Sequence, residues 1–255
     1  MMIMKRALSF GSVAEDYERY RPGYDRSLVD LIMNAAGQPP RTALEIGAGT
    51  GKATRTIAGA GVPVTAIEPD PAMLQILRRE CADLPVTSYR STFEDLRVDD
   101  LGSFDLLYAA AALHWTDPQS RWDRVTALLR PGGLVASFGG PTEPADPELA
   151  AIEDEITGPV LASVAPPGPT QKVAGMEWPG HELVADERFA DVLEHRLPRR
   201  IDYTREDYIG LLNTVSAFRQ LDDDVRDEVF DELRRRLPGR LTVQADLMVH
   251  TARRV

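Results

Sequence analysis

Between residues 43 and 138 the chain lays down five short apolar runs at nearly even spacing, and nothing else in the sequence limits its fold so strongly. The runs are 43–46, 62–67, 86–91, 104–109 and 134–138. Each has the length of a strand, and most are bounded by glycine, proline or an acidic residue. Helical patterns fall around them. Leu28, Leu31, Ile32, Ala35 and Ala36 share one face of a segment that Gly37 and Pro39-Pro40 close. Asp70 suits an N-cap and Pro71 a first helical position, so a helix runs from there to about Ala82. Asp117-Pro118 opens another (Trp122, Val125, Leu129), which Pro131-Gly132-Gly133 ends. Strands alternating with helices give βαβ units, a parallel sheet and right-handed crossovers, with helices on both faces. The expected class is α/β, a doubly wound sheet whose ligands bind at the carboxyl ends of the strands.

After Gly140 the texture changes. Residues 141–147 and Pro166-Pro167-Gly168-Pro169 are turn-rich breaks around an acidic amphipathic helix with Leu149, Ile152 and Ile156 on one face. Residues 191–203 resemble an exposed strand. Helical spacing returns over 204–218 (Tyr208, Leu211, Leu212, Val215) and 222–237 (Val225, Val229, Leu233, Leu237). The last strand, 241–249, alternates strictly through Leu241, Val243, Ala245, Leu247 and Val249, which suits an antiparallel strand with one wetter face. No internal repeat or low-complexity tract interrupts the chain.

Charge and cysteine content exclude several classes of function. A net charge of -11 with a pI near 4.9 argues against a partner recognised mainly through phosphates, so no nucleic acid is expected. The basic residues are 26 Arg and only Lys5, Lys52 and Lys172, a bias typical of a GC-rich bacterial genome. Cys81 is the single cysteine and falls at core spacing behind Met73, Leu74 and Leu77, so a buried structural thiol in a reducing cytoplasm is expected. The first ten residues lack the apolar core of a signal peptide, and no run is long enough to cross a membrane. His181, His195 and His250 have neither companion cysteines nor paired spacing, so no metal is expected.

The loop after the first run reads E-I-G-A-G-T-G-K from Glu45. A triphosphate-binding loop needs a glycine where Ile46 stands and Ser or Thr where Ala53 stands. A dinucleotide fingerprint needs its third glycine where Lys52 stands. Both patterns fail, and E-x-G-x-G-x-G over Glu45, Gly47, Gly49 and Gly51 remains. Such a loop lets backbone approach a ligand closely. Glu45 at the end of strand one can face an ammonium or a hydroxyl. Glu68, at the end of strand two, can accept hydrogen bonds from both hydroxyls of a ribose.

Four segments, A-L-E-I-G-A-G-T-G, V-T-A-I-E-P-D-P-A-M-L, S-F-D-L-L-Y-A-A-A-A-L-H-W and L-L-R-P-G-G-L-V-A, resemble class I S-adenosylmethionine-dependent methyltransferases. The closest likeness is to the small-molecule branch (methyltransferase type 11, trans-aconitate methyltransferase-like), whose entry segment F-G-S-V-A-E-D-Y-E-R-Y-R-P-G-Y is also similar. The resemblance implies a Rossmann-like sheet, mostly parallel with an antiparallel last strand, plus a helical cap. It implies one domain, 1–255, with a cofactor-binding core at 10–140, inserted and cap elements for the acceptor at 141–238, and the last strand of the sheet at 239–255.

Carried across residue by residue, the resemblance implies that Glu45, Gly47, Ala48 and Gly49 line the methionine and ribose part of S-adenosylmethionine, with Ala110 also at the cofactor. Glu68 would bind the ribose hydroxyls, and Pro69 and Met73 would flank the adenine. Where many relatives hold the adenine amino group with Asp, this chain has Thr92, leaving adenine recognition to Thr92, the Phe93 backbone or Glu94.

On the acceptor side, His114 is the candidate base, because it follows strand four and a free imidazole has a pKa near neutrality; a hydrogen bond to substrate or a purely structural role are the rivals. Trp115 is either a substrate wall or core packing. Tyr17, Tyr20 and Tyr24 share one face if their segment is helical, as a lid on the cofactor and acceptor or as a stapling helix. Arg21 can hold the cofactor carboxylate or an acidic substrate. Tyr208, in the later helical segment, is assigned to the acceptor pocket. The reaction expected is methyl transfer to a small molecule, to oxygen first and nitrogen or carbon next, by a monomer or homodimer. A nicotinamide oxidoreductase is disfavoured by Lys52, and RNA methylation by the acidic surface and by Ala110-Ala111-Ala112-Leu113 in place of a D/N-P-P motif. Cofactor binding without turnover is the third reading.

Overall fold

All four residues of β1 (Ala43–Ile46) are buried, as a strand covered by helices on both faces requires. In the computed structural model, which describes residues 8–164 and 175–255, β1 is an interior strand of a seven-stranded sheet, next to the central β4 (Phe104–Ala110). The Pro166-Pro167-Gly168-Pro169 break, Lys172, Lys5 and the rest of the first seven residues lie outside the described residues.

Helix α1 (Ala14–Tyr20) comes first, then α2 (Arg26–Ala36), which Asp25 caps through the Ser27 N–H and which Gly37 ends in the left-handed region. After β1 come α3 (Lys52–Gly59), β2 (Val64–Ile67) and α4 (Pro71–Glu80). Asp70 caps α4 through the Ala72 and Met73 N–H groups. The sheet continues through β3 (Val86–Tyr89), β4 (Phe104–Ala110), α5 (Arg121–Leu128) and β5 (Leu129–Gly139). Strand order is β3-β2-β1-β4-β5, all parallel. The order reverses between β1 and β4, so the crevice of a doubly wound sheet opens at their carboxyl ends.

The later elements are β6 (Glu143–Pro144), α6 (Pro147–Leu161), α7 (Gly180–Ala185), β7 (Phe189–Leu197), β8 (Arg200–Thr204), α8 (Arg205–Asn213), α9 (Asp223–Arg236), β9 (Arg240–Gln244) and β10 (Leu247–Arg254). Strand β10 pairs antiparallel with β5, and β7 closes the sheet at its outer edge. The fold is thus the Rossmann-like α/β class expected, with an antiparallel strand at the end of the chain.

The described residues divide into two compact units. The large-sheet unit holds residues 23–139, 175–197 and 248–255; the small-sheet unit holds 8–22, 140–164 and 198–247. The second has its own core of Tyr208, Leu211, Leu212, Phe230, Leu233 and Val243. It is not purely helical, because β6, β9 and β8 form a three-stranded antiparallel sheet. No helix among the described residues is long and apolar enough to cross a membrane.

Several sequence expectations are corrected. The single strand expected over 241–249 is two strands in different sheets. The chain turns at Ala245-Asp246, where the Asp246 carboxylate accepts the Arg199 N–H at 2.9 Å. Residues 191–203 likewise divide at Pro198, which cannot donate to a ladder, and the two parts join different sheets. Residues 175–197, grouped with the insert by sequence, fold with the large sheet. Pro131-Gly132-Gly133 does not end a helix; it lies in a bulge of β5, whose pairing with β4 shifts register there.

Tyr24 does not share a helical face with Tyr17 and Tyr20. Helix α1 stops at Tyr20, because Arg21 precedes Pro22 and is held extended (φ -69, ψ 135).

Candidate functional site

The glycine loop joins the carboxyl end of β1 to α3. Gly47, Gly49 and Gly51 all have positive φ (62, 57 and 87°), which an L side chain rarely adopts. Their surroundings differ. A Cβ on Gly47 would come within 2.7 Å of the Ala112 Cβ beyond β4, so the glycine backbone packs directly against the Ala112 methyl there. A Cβ on Gly49 would meet nothing within 4 Å. The loop is fixed to β2 by the Ala48 N–H on the Ile67 carbonyl at 3.0 Å.

Two carboxylates flank the loop. Glu68 accepts the Gly49 N–H on Oε2 at 2.8 Å and the Asp70 N–H on Oε1 at 2.9 Å, tying β2's end to both the loop and the start of α4. Burial pushes it up to about 7 despite those two hydrogen bonds. Glu45 is fully buried. Its Oε2 accepts the Thr54 hydroxyl at 2.5 Å and the Tyr108 hydroxyl at 2.8 Å. Its Oε1 is buried and has no hydrogen-bond partner. Desolvation pushes Glu45 up to about 8, and the nearby Glu68 charge adds to the rise. Neither Thr54 nor Tyr108 was a candidate from sequence, although a tyrosine inside an apolar strand is a signal that its hydroxyl needs a partner.

Beyond β4 the backbone carries local strain. Ala111 sits at φ 50°, outside the range alanine favours, with its N–H on the Phe138 carbonyl at 2.7 Å. Half-buried Ala110 precedes it, and nothing in a run of four alanines announces the kink. A single 3-10 turn (Leu113–Trp115) follows and carries His114, half-buried, with its ring 4.6 Å from that of Trp115 and 6.5 Å from that of Trp178. Trp115 packs against the core of the large-sheet unit.

The remaining candidates divide between the two units. In the large-sheet unit, Met73 is buried behind Asp70, and half-buried Pro69 turns its carbonyl toward Arg90. The Thr92 hydroxyl donates to Asp95 and accepts its N–H. Phe93 is buried, with its carbonyl accepting from Arg124, and Glu94 holds the Asp117 N–H at 2.8 Å. Tyr24 packs edge-on against Phe138 at 5.1 Å. In the small-sheet unit, Arg21 donates twice to Thr214 (2.9 and 3.1 Å) over the ring of Tyr17. Tyr20 packs against Gly210, and fully buried Tyr208 donates to Glu153 at 2.6 Å.

With this geometry in place, the chain's likenesses become informative. Residues 44–137 match the family model for a methyltransferase domain. Over 130 residues the chain is 42% identical to an uncharacterised methyltransferase of Mycobacterium tuberculosis, covering 51% of each protein. Over 124 residues it is 32% identical to a Saccharomyces cerevisiae protein described as a probable S-adenosylmethionine-dependent methyltransferase, covering 47% of this chain and 43% of that one. The chain spans about half the length of the curated relatives it matches. Its fold matches a solved structure from Anaeromyxobacter dehalogenans, described as a putative type II methyltransferase, with a TM-score of 0.65 and 26% identity over 92% of this chain and 98% of that one. Sheet order and likeness agree: residues 44–137 match a methyltransferase domain, and the chain shares its fold with a solved methyltransferase structure.

Proposed function

We propose that the protein transfers the methyl group of S-adenosylmethionine to an oxygen of a small-molecule acceptor. One observation carries the cofactor half of this reading. A fully buried carboxyl at the end of β1, already fed by two hydroxyl donors, keeps a second oxygen with no partner. Leaving a buried acceptor unpaired costs about 1–3 kcal/mol, so its retention calls for a ligand donor. The α-ammonium of an amino-acid moiety fits, and it would supply the positive charge that Glu45 and Glu68 both lack.

The residues present suit S-adenosylmethionine part by part. Glu45 would hold the ammonium. Glu68 uses one lone pair on each oxygen for backbone and retains others for the ribose hydroxyls. Gly47, Ala48 and Gly49 would border the methionine and ribose with backbone, and the open side of Gly49 leaves room that a side chain would fill. Pro69 and Met73 would flank the adenine, with Thr92, Phe93 and Glu94 at its edge. Once bound, the cofactor supplies a sulfonium-activated methyl group; the protein supplies orientation and a dry site.

His114 would take the acceptor's proton. It follows β4, two residues after the alanine that touches Gly47, and imidazole is suited to deprotonate a hydroxyl near neutral pH. Ala110-Ala111-Ala112 offers no amide to grip a planar amine, which favours oxygen over base nitrogen.

Calorimetric titration with S-adenosylhomocysteine, beside NADH and ATP, tests the cofactor. Micromolar binding of the homocysteine compound alone, lost in Glu68→Ala, is expected. Equal binding of NADH, or none of S-adenosylhomocysteine, would overturn the reading.

A further inference from the structure

The chain has three tryptophans; all three pack against the core of the large-sheet unit, and two of them lie beside His114. Trp115 lies beside the imidazole at 4.6 Å, and Trp178 approaches it edge-on at 6.5 Å. Trp122 lies in α5, and its indole N–H donates to Glu182 Oε2 at 2.8 Å. Residue 178 belongs to a segment far along the chain from the motifs that bind cofactor, so its position beside His114 is a product of the fold.

Trp178 is held with unusual care. The guanidinium of Arg121 sits 4.9 Å from its ring centroid. Arg121 is almost wholly buried, and it is fixed by the Thr116 hydroxyl (2.7 Å), the Thr116 carbonyl (2.9 Å) and Glu182 Oε2 (3.3 Å). A cation on one indole face and a histidine at the ring's edge fix its plane. Yet its Nε1–H is shielded from solvent and has no hydrogen-bond partner among the described residues. Glu182 accepts from Arg121 and Trp122 instead. Phenylalanine would keep the ring contacts and avoid the cost of an orphan donor.

We infer that Trp178 is an acceptor-binding residue: its indole N–H and the His114 imidazole converge on the oxygen of a hydroxyaromatic acceptor, whose ring lies among the tryptophan rings. This rests on the acceptor-oxygen reading above and adds a substrate class to it. Flat aromatic walls favour a flat apolar ligand, while a neutral N–H donor favours an oxygen over an ammonium. When the hydroxyl proton passes to the imidazole, the oxygen keeps the bonding pair, and the Trp178 N–H donates to the charge that forms. Arg121 and Glu182 act through Trp178 and are positioning residues.

The test is a nitrogen-15 spectrum of the full chain, in which three tryptophans give three indole N–H signals. W178F identifies the Trp178 signal by its loss, and W115F and W122F complete the assignment by elimination. S-adenosylhomocysteine is added first, then 2-naphthol or naphthalene. The expected result is a saturable downfield shift of the Trp178 signal with 2-naphthol and not with naphthalene, and about tenfold weaker 2-naphthol binding in W178F. E182Q is expected to reduce the shift while leaving S-adenosylhomocysteine affinity unchanged. The inference falls if 2-naphthol fails to bind, if it binds without moving that signal, or if W178F binds it as well as wild type. A Trp178 response without any binding of S-adenosylhomocysteine would support this site and overturn the cofactor reading instead.

Discussion

The hydroxyl of Tyr108 on β4 donates to Oε2 of Glu45 on β1 at 2.8 Å, between two residues paired in register across parallel strands. Because Tyr108 and Thr54 crowd one oxygen, the other is left bare in the interior. Glu45→Gln keeps the shape and removes the buried charge. The expected outcome is a melting temperature at pH 8 no lower than wild type, with S-adenosylhomocysteine affinity reduced about ten- to a hundredfold, the worth of one hydrogen bond to a charged group. Thermal melts and calorimetry on the same preparation check both halves.

Stability should fall as pH rises. Glu45 is pushed up to about 8 and Glu68 to about 7, from an ordinary value of 4.5. Over the interval between those values the folded chain keeps protons that the unfolded chain has released. The free protein should therefore lose stability from about pH 4.5 towards pH 8, and Glu45→Gln should flatten the slope. Denaturant midpoints measured across that range decide it; a stability that climbs through the interval would contradict the burial of these acids.

The proposed seat of the cofactor at Glu45 would link its binding to the same protons. An ammonium beside Glu45 favours its ionised form, so binding should release a proton and tighten from pH 6 to pH 8, by at most about tenfold per unit. Calorimetry in two buffers of different ionisation enthalpy counts the protons released.

Two glycines of one loop should fail differently. Gly47→Ala forces a Cβ to 2.7 Å from the Ala112 Cβ on a left-handed backbone, so a stability loss of about 1–3 kcal/mol is expected. Gly49→Ala meets open space, and its cost should be smaller, about 1 kcal/mol from φ alone, with the larger loss in cofactor affinity. Urea titration paired with ligand binding separates the two.

In the small-sheet unit, Tyr208 is fully buried and its hydroxyl is occupied by Glu153, whose carboxyl burial pushes up to about 7. Tyr208→Phe should destabilise the protein by about 1–2 kcal/mol and leave S-adenosylhomocysteine affinity unchanged. Denaturation and calorimetry of that variant give the answer.

The sequence by itself determined the parallel sheet, the cap at Asp70, and the acid-flanked glycine loop. Those features are local: a buried strand reads as a short apolar run, an N-cap side chain serves N–H groups two or three residues on, and a left-handed turn requires glycine at its own position. Tertiary structure alone decided that the alternating run from Leu241 to Val249 would serve two sheets, because alternation records which residues are buried and not which neighbour buries them. It also decided Glu45's partners. Thr54 comes from the next helix and Tyr108 from a strand 63 residues away, and only the pairing of β1 with β4 brings that hydroxyl to the carboxylate. Trp178 reaches His114 by the same route, through contacts between distant segments that no local spacing encodes.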